Sequence, residues 1–274
     1  MSVTIVRTLR QRFHIHAPDQ ASGRVLDYMA ADPDIPGPEA ENRDFHVENH
    51  HGFLRLADPD EGCAEGSAEN ILSFLHKIHF AQCLREFPDA FLIHGGTITR
   101  EKGHIVVVGS KGSGKSTLLL RLAAAGCPVM GDEHIVVDGP VALPRPRSMR
   151  IKESTLDYLS PDLADKVRAS PSMSDWFGVP TYAVSPAAFG GPWSIEAKPI
   201  TDIVFLYPNH GGRSVIKPMD PDSATEQLLK ETILPRESRM KALITLRQLV
   251  QSAKTWQLTN GQLEGSERIM YSIM

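Results

Sequence analysis

The run Ile105-Val106-Val107-Val108-Gly109-Ser110-Lys111-Gly112-Ser113-Gly114-Lys115-Ser116 carries a strand of β-branched residues into a complete G-x-x-x-x-G-K-[ST] loop. That spacing suits a triphosphate. Gly109, Gly112 and Gly114 reach backbone conformations closed to residues with a Cβ, and so bring successive N–H groups within hydrogen-bond reach of phosphate oxygens. Lys115 is expected to extend to the β- and γ-phosphates and Ser116 to place its hydroxyl on Mg2+. Thr117 to Ala125 begins a Leu- and Ala-rich helix whose N-terminal dipole faces the anion, and Gly126 stands where a helix C-cap belongs. Residues 109–117 are thus the expected nucleotide-binding set, with ATP and Mg2+ as the ligands. Phosphoryl transfer also needs a positioned base and a carboxylate near the metal. Asp132 and Glu133 follow an apolar strand over Cys127–Met130 and can fill both roles; their order alone does not say which fills which.

The elements that hold these residues read as α/β. A strand is expected over Phe91 to Thr99, another over His134–Asp138, and the loop strand and its helix lie between them in sequence. Later, Ile203–Tyr207 and Ser214–Pro218 straddle Asn209-His210-Gly211-Gly212, which signals a hairpin. Helices are expected over roughly Asp222–Thr232 and Arg236–Ala253, then a strand over Thr255–Leu258 and a short terminal helix. The expected fold is a mixed sheet with helices, of the P-loop kinase type, over residues 91–274. Residues 140–200 are rich in proline, serine and charge, and read as a mobile loop covering substrate or nucleotide.

Before this lies a different texture. Residues 1–90 read as a small α+β module, with strands over Val3–Arg7, Phe13–His16 and Gly52–Leu56 and an acidic, proline-rich stretch from Asp32 to Asp44. From Ser67 to Glu86 the apolar residues recur at helical spacing, and Pro88 ends the helix. His14 with His16, His50 with His51, and His76 with His79 form pairs, but no third metal ligand is placed by sequence; surface or packing roles are expected.

Composition bounds the class. The chain has 274 residues, 41% of them hydrophobic and 23% charged, with a formal charge of -4. This balance fits a globular protein and gives no global drive toward nucleic acid. No apolar run reaches the length of a membrane span, and the N-terminus lacks the pattern of a secretory signal, so a cytoplasmic protein with no membrane partner is expected. Cys63, Cys83 and Cys127 have unrelated spacings and are expected to be reduced thiols.

The arrangement Ile93-His94-Gly95-Gly96, then the loop, then Gly126-Cys127-Pro128-Val129-Met130-Gly131-Asp132-Glu133 resembles the catalytic domain of HPr kinase/phosphorylase. The resemblance covers roughly Phe91 to Asp138. It implies an ATP-dependent kinase acting on a hydroxyl, usually serine, of a protein, peptide or small molecule, with Asp132 as base and Glu133 nearer Mg2+. It also brings His94 into the site, against the Asp132 carboxylate or a transferring phosphate oxygen. The module at 1–90 is then expected to recognise the acceptor, and a homo-oligomer is possible. The chain departs from the family where Thr117 replaces a glutamate and where a downstream glutamate-bearing, glycine-rich signature is replaced by a basic stretch from Pro144 to Glu153. Arg147, Arg150 or Lys152 can there grip phosphate or an acidic substrate, or form a solvated basic loop, with Glu153 as a metal candidate. Phosphorolysis and hexamer formation lose their sequence support with that signature. Two other readings remain: a nucleotide-binding regulatory protein with little chemistry, and a P-loop ATPase or small-molecule kinase.

Overall fold

The computed structural model describes residues 2–31, 34–174, 178–190 and 193–274. In chain order the elements begin with β1 (Ser2–Arg7), β2 (Gln11–Ala17), α1 (Gln20–Leu26), β3 (Glu41–His46), β4 (Glu48–His50), β5 (Phe53–Asp58), β6 (Gly62–Gly66) and α2 (Ala68–Glu86). Next come β7 (Phe91–Ile93), β8 (Gly95–Arg100), β9 (Gly103–Val108), α3 (Lys115–Ala124), β10 (Val129–Asp132), β11 (Ile135–Asp138) and β12 (Val141–Pro144). The third stretch holds β13 (Met149–Lys152), α4 (Pro161–Arg168), β14 (Ser172–Ser174) and β15 (Pro180–Val184). The last holds β16 (Lys198–Pro208), β17 (Val215–Pro218), α5 (Pro221–Lys230), β18 (Thr232–Ile233), α6 (Arg239–Ser252), β19 (Lys254–Asn260) and α7 (Leu263–Ile273). Among the described residues no helix is long and apolar enough to cross a membrane.

Contacts divide the chain into two compact units, one of residues 1–86 with 146–185 and one of residues 87–145 with 186–274. This differs from a single cut at residue 90. The segment expected to be a mobile covering loop instead contributes β13, β15 and β14, a three-stranded antiparallel sheet of the first unit. Its apolar residues explain the correction: Met149, Ile151, Leu156, Val167 and Val184 are spread among prolines and serines, yet all are buried. Residues 175–177 and 191–192 of that expected loop lie outside the described residues, as do Asp32 and Pro33 of the acidic stretch.

In the first unit, β2 alternates strictly. Phe13 and Ile15 point into a core with Phe45, Leu56, Ile71, Leu75 and Ile78, whereas His14 and His16 take the other face. Helix α2 begins at Ala68 and ends at Glu86, close to expectation.

The second unit is built on a ten-stranded mixed sheet. Strand β9 runs parallel to β16, which runs parallel to β19, and β8 pairs antiparallel with β9. All six residues of β9 are buried, which is why it reads as a continuous apolar run rather than an alternating one. Val106 and Val108 face a core shared with Ile203, Phe205 and residues of α5 and α6. Val107 takes the opposite face. There its cross-strand partner Gly96 leaves room for Leu119 of α3, whose Cδ1 would stand 2.0 Å from any Cβ at that position.

The expected hairpin is not formed. Although the Asn209–Gly212 turn closes, with Gly212 N–H donating to Asn209 O at 2.8 Å, β19 is inserted between β16 and β17. It pairs parallel with β16 over residues 202–208 and antiparallel with β17. The longer parallel ladder satisfies more backbone groups of a buried central strand than the four residues of β17 can.

Candidate functional site

Three parallel strands, β9, β16 and β19, end together, and the glycine-rich loop leaves the first of them. Gly114 sits just before α3 with φ of 91°, and a Cβ there would stand 2.4 Å from Asn260 Nδ2. Only glycine accepts both conditions. The loop is buttressed from the neighbouring strand ends: Asn260 Nδ2 donates to Ser113 O at 2.8 Å, and His210 Nε2 lies 3.1 Å from Gly112 O. Asn260 is 1% exposed and its amide oxygen accepts from Ser266 Oγ at 2.7 Å, so the buttress is itself held.

Lys115 and Ser116 open α3, two residues before the helix start expected at Thr117. Lys115 is 8% exposed, and its ammonium donates to the loop carbonyls of Gly109 and Ser110. Burial pulls its pKa below the ordinary lysine value, while the carboxylates of Glu231 and Asp132 pull the other way. The Lys115 ammonium thus sits in low dielectric within the field of two acids.

Asp132 is the last residue of β10 and is 6% exposed. The strand lies two residues later than expected, over Val129–Asp132. Its pairing with β8 shifts register between Val129 and Asp132. Gly131 lies in that interval with φ of 114°, and a Cβ there would approach Arg145 O to 2.8 Å. The turn continues into Glu133, which has φ of 112°. Such a conformation is uncommon outside glycine and costs on the order of 1–3 kcal/mol. The acids are therefore not neighbours on one extended strand. Glu133 is instead fixed by exchanging backbone hydrogen bonds with Gly95, at 2.9 and 3.2 Å.

His94, immediately before β8, is brought to the same end of the sheet. Its Nδ1 lies 3.1 Å from Glu231 Oε2, and its backbone N–H donates to Glu231 O at 2.6 Å. The His134 ring stands 6.0 Å away, centroid to centroid. Burial, followed by the charges of Arg145 and His94, pushes the His134 pKa down to about 3. Arg145 Nη1 is 3.3 Å from His134 Nδ1, so the neutral ring accepts there.

No family model matches the chain, and no curated protein matches it. Among solved structures the HPr(Ser) kinase/phosphatase from Coxiella burnetii is similar at 13% identity, over 58% of this chain and 88% of that one, with a TM-score of 0.26. A superposition that loose carries no argument about the site.

The loop residues 109–117, with Asp132, Glu133 and His94, all belong to the second unit. Arg147, Arg150, Lys152 and Glu153 belong to the first. There Arg150 lies 3.7 Å over the Tyr28 ring and donates to Tyr28 O at 3.0 Å, and Glu153 accepts from the Tyr182 hydroxyl. Those contacts give Arg150 and Glu153 a packing role that the sequence left open. Glu231, Asn260, His210 and Arg145 were not found by sequence reasoning. A polar residue closing a buried strand was the available signal for Asn260. For Glu231, a glutamate at the end of an ordinary helix, there was none.

Proposed function

We propose that this chain is an ATP-dependent kinase that transfers the γ-phosphoryl group to a hydroxyl, with serine of a protein or peptide as the favoured acceptor. What carries the reading is the buried Lys115 ammonium, set in the field of Asp132 and Glu231 beside a glycine loop at the C-terminal ends of parallel strands, where open α/β sheets bind ligands. In this assignment the loop N–H groups and Lys115 hold the triphosphate. Asp132 accepts the acceptor's proton, and His94, oriented by Glu231, lies at the transferring group. Mg2+ bound with ATP would supply charge neutralisation at the phosphates. Ser116 and Glu133 would hold it.

The donor set fits that ion. Ser116 offers a hydroxyl and Glu133 a carboxylate, the hard oxygen donors Mg2+ takes, one or two of which commonly hold it with phosphates and water completing the shell. The acceptor belongs to the same proposal, with its recognition assigned to residues 1–90.

Turnover with γ-labelled ATP and candidate peptides tests the reading. Asp132→Asn keeps the side-chain size and removes the proton acceptor, so phosphorylation is expected to fall roughly 100-fold or more while ATP still binds. Undiminished transfer by the variant would exclude Asp132 as base, whereas ATP binding without transfer by the wild type would favour the nucleotide-binding regulatory reading.

A further inference from the structure

A cavity of about 520 Å3 lies beside the loop that joins β16 to β17, bounded by Gly211, Arg213, Ser214, Gln262, Gly265 and Arg268. Ligand cavities run roughly from 300 to 1,000 Å3, so the space is of the right order for a nucleoside. It is joined to the phosphate loop through one short path. His210, one residue before Gly211, touches Gly112 O, and Asn260, two residues before Gln262, touches Ser113 O. The two walls also hold each other, since Gln262 N–H donates to Gly212 O at 2.8 Å and Ser214 Oγ donates to Gln262 O at 2.9 Å.

Topology gives the direction. A triphosphate on the loop after β9 leaves the rest of the nucleotide to run along the ends of the adjacent parallel strands, and β16 and β19 are those strands. Two strand spacings, roughly 10 Å, separate β9 from β19. The walls suit a flat ring: Gly211 and Gly265 present backbone without side chains, and two guanidinium groups can lie against a π face.

We infer that this cavity takes the base and ribose of the nucleotide, with Arg213 and Arg268 against the ring. The inference rests on the proposed nucleotide site. A pocket that grips a ring by its faces tolerates different base edges, so ATP and GTP are expected to bind within about threefold of each other, because sequence-tolerant stacking uses the π face every base has.

Calorimetry on the full chain with Mg-ATP, Mg-GTP and Mg-tripolyphosphate separates the parts. The wild type should bind ATP more tightly than tripolyphosphate. Arg213→Ala with Arg268→Ala should weaken ATP about tenfold, the scale of a lost stacking contact, and leave tripolyphosphate within about twofold. Equal affinity of the wild type for ATP and tripolyphosphate, or unchanged ATP affinity in the double variant, overturns the cavity assignment and spares the phosphate loop. Equal weakening of both ligands means the arginines hold phosphate and also overturns it. Binding of none of the three by the wild type removes the nucleotide site and the cavity's role together. Both arginines are exposed, so a circular dichroism melt should match the wild type; a shifted melt would be resolved by Arg213→Lys with Arg268→Lys, for which a recovered ATP affinity would overturn the stacking role and unrecovered affinity would support it.

Discussion

Two clusters of ionisable side chains can be set side by side. On the outer face of the first unit's β2 and β3, His16 Nε2 stands 2.8 Å from Asp44, His14 stands 3.7 Å from it, and the His46 ring stacks on His16 at 4.5 Å. At the loop end of the second unit stand Lys115, Asp132, His94, Glu231 and His134. The first cluster has the more obvious sequence pattern. Yet Asp44 is half exposed, and its one resolved effect is a carboxyl held below its ordinary value by the His16 hydrogen bond. In the second cluster Lys115 and Asp132 are almost wholly enclosed, and three backbone positions beside them, Gly114, Gly131 and Glu133, have positive φ. Proximity of charges is common on a solvated surface. Charges kept out of water at a cost in burial and strain are what mark a site that does something.

The sharpest way to break this contrast is Lys115→Ala. ATP affinity is expected to fall about 100-fold, because the fixed counter-charge is lost, while thermal stability holds or rises, because a desolvated ammonium has gone. A calorimetric titration paired with a melt reads both. A large drop in melting temperature would make Lys115 a structural residue like those of the first cluster.

Gly131→Ala comes next. The new Cβ meets Arg145 O at 2.8 Å in a backbone conformation that disfavours it, so a loss of about 1–3 kcal/mol is expected in denaturant melts. Glu133→Gly should act in the opposite direction by relieving its left-handed strain.

The pH dependence of stability carries the contrast further. His134 has a folded pKa of about 3, against about 6.5 for an unperturbed histidine. The unfolded chain therefore binds more protons between those values, and stability should decline as pH falls below about 6.5. His104 adds to the same slope, since burial also lowers its pKa. His134→Gln should flatten the curve measured from pH 7 to 4. An unchanged curve would place His134 in solvent. The smallest effect is expected from His16→Ala, under about 0.5 kcal/mol at neutral pH, and a larger change would show that the exposed cluster supports the first unit's fold.

Legibility in the sequence follows the same divide between local and distant. The loop, its strand and helix, and helix α2 were readable because glycine spacing and apolar periodicity act over a few residues. Glu231 was not, since it meets His94 from 137 positions away. The hairpin expected at Asn209–Gly212 kept its turn but not its pairing, because which strands pair across it depends on β19, which no local signal announces. Likewise, the buried residues of 146–185 are diluted by prolines until their partners in the first unit are known.

The insertion of β19 also has a bearing on how the protein is made. Its slot between β16 and β17 can be filled only after α5, β18 and α6 have been passed, so the central ladder closes late and over a long stretch of chain. Asn260, one buttress of the glycine-rich loop, arrives at the tip of that strand. The loop's buried support thus comes with the closing of the sheet, and a chain stalled before that step would carry the whole glycine motif without the Asn260 side chain behind it.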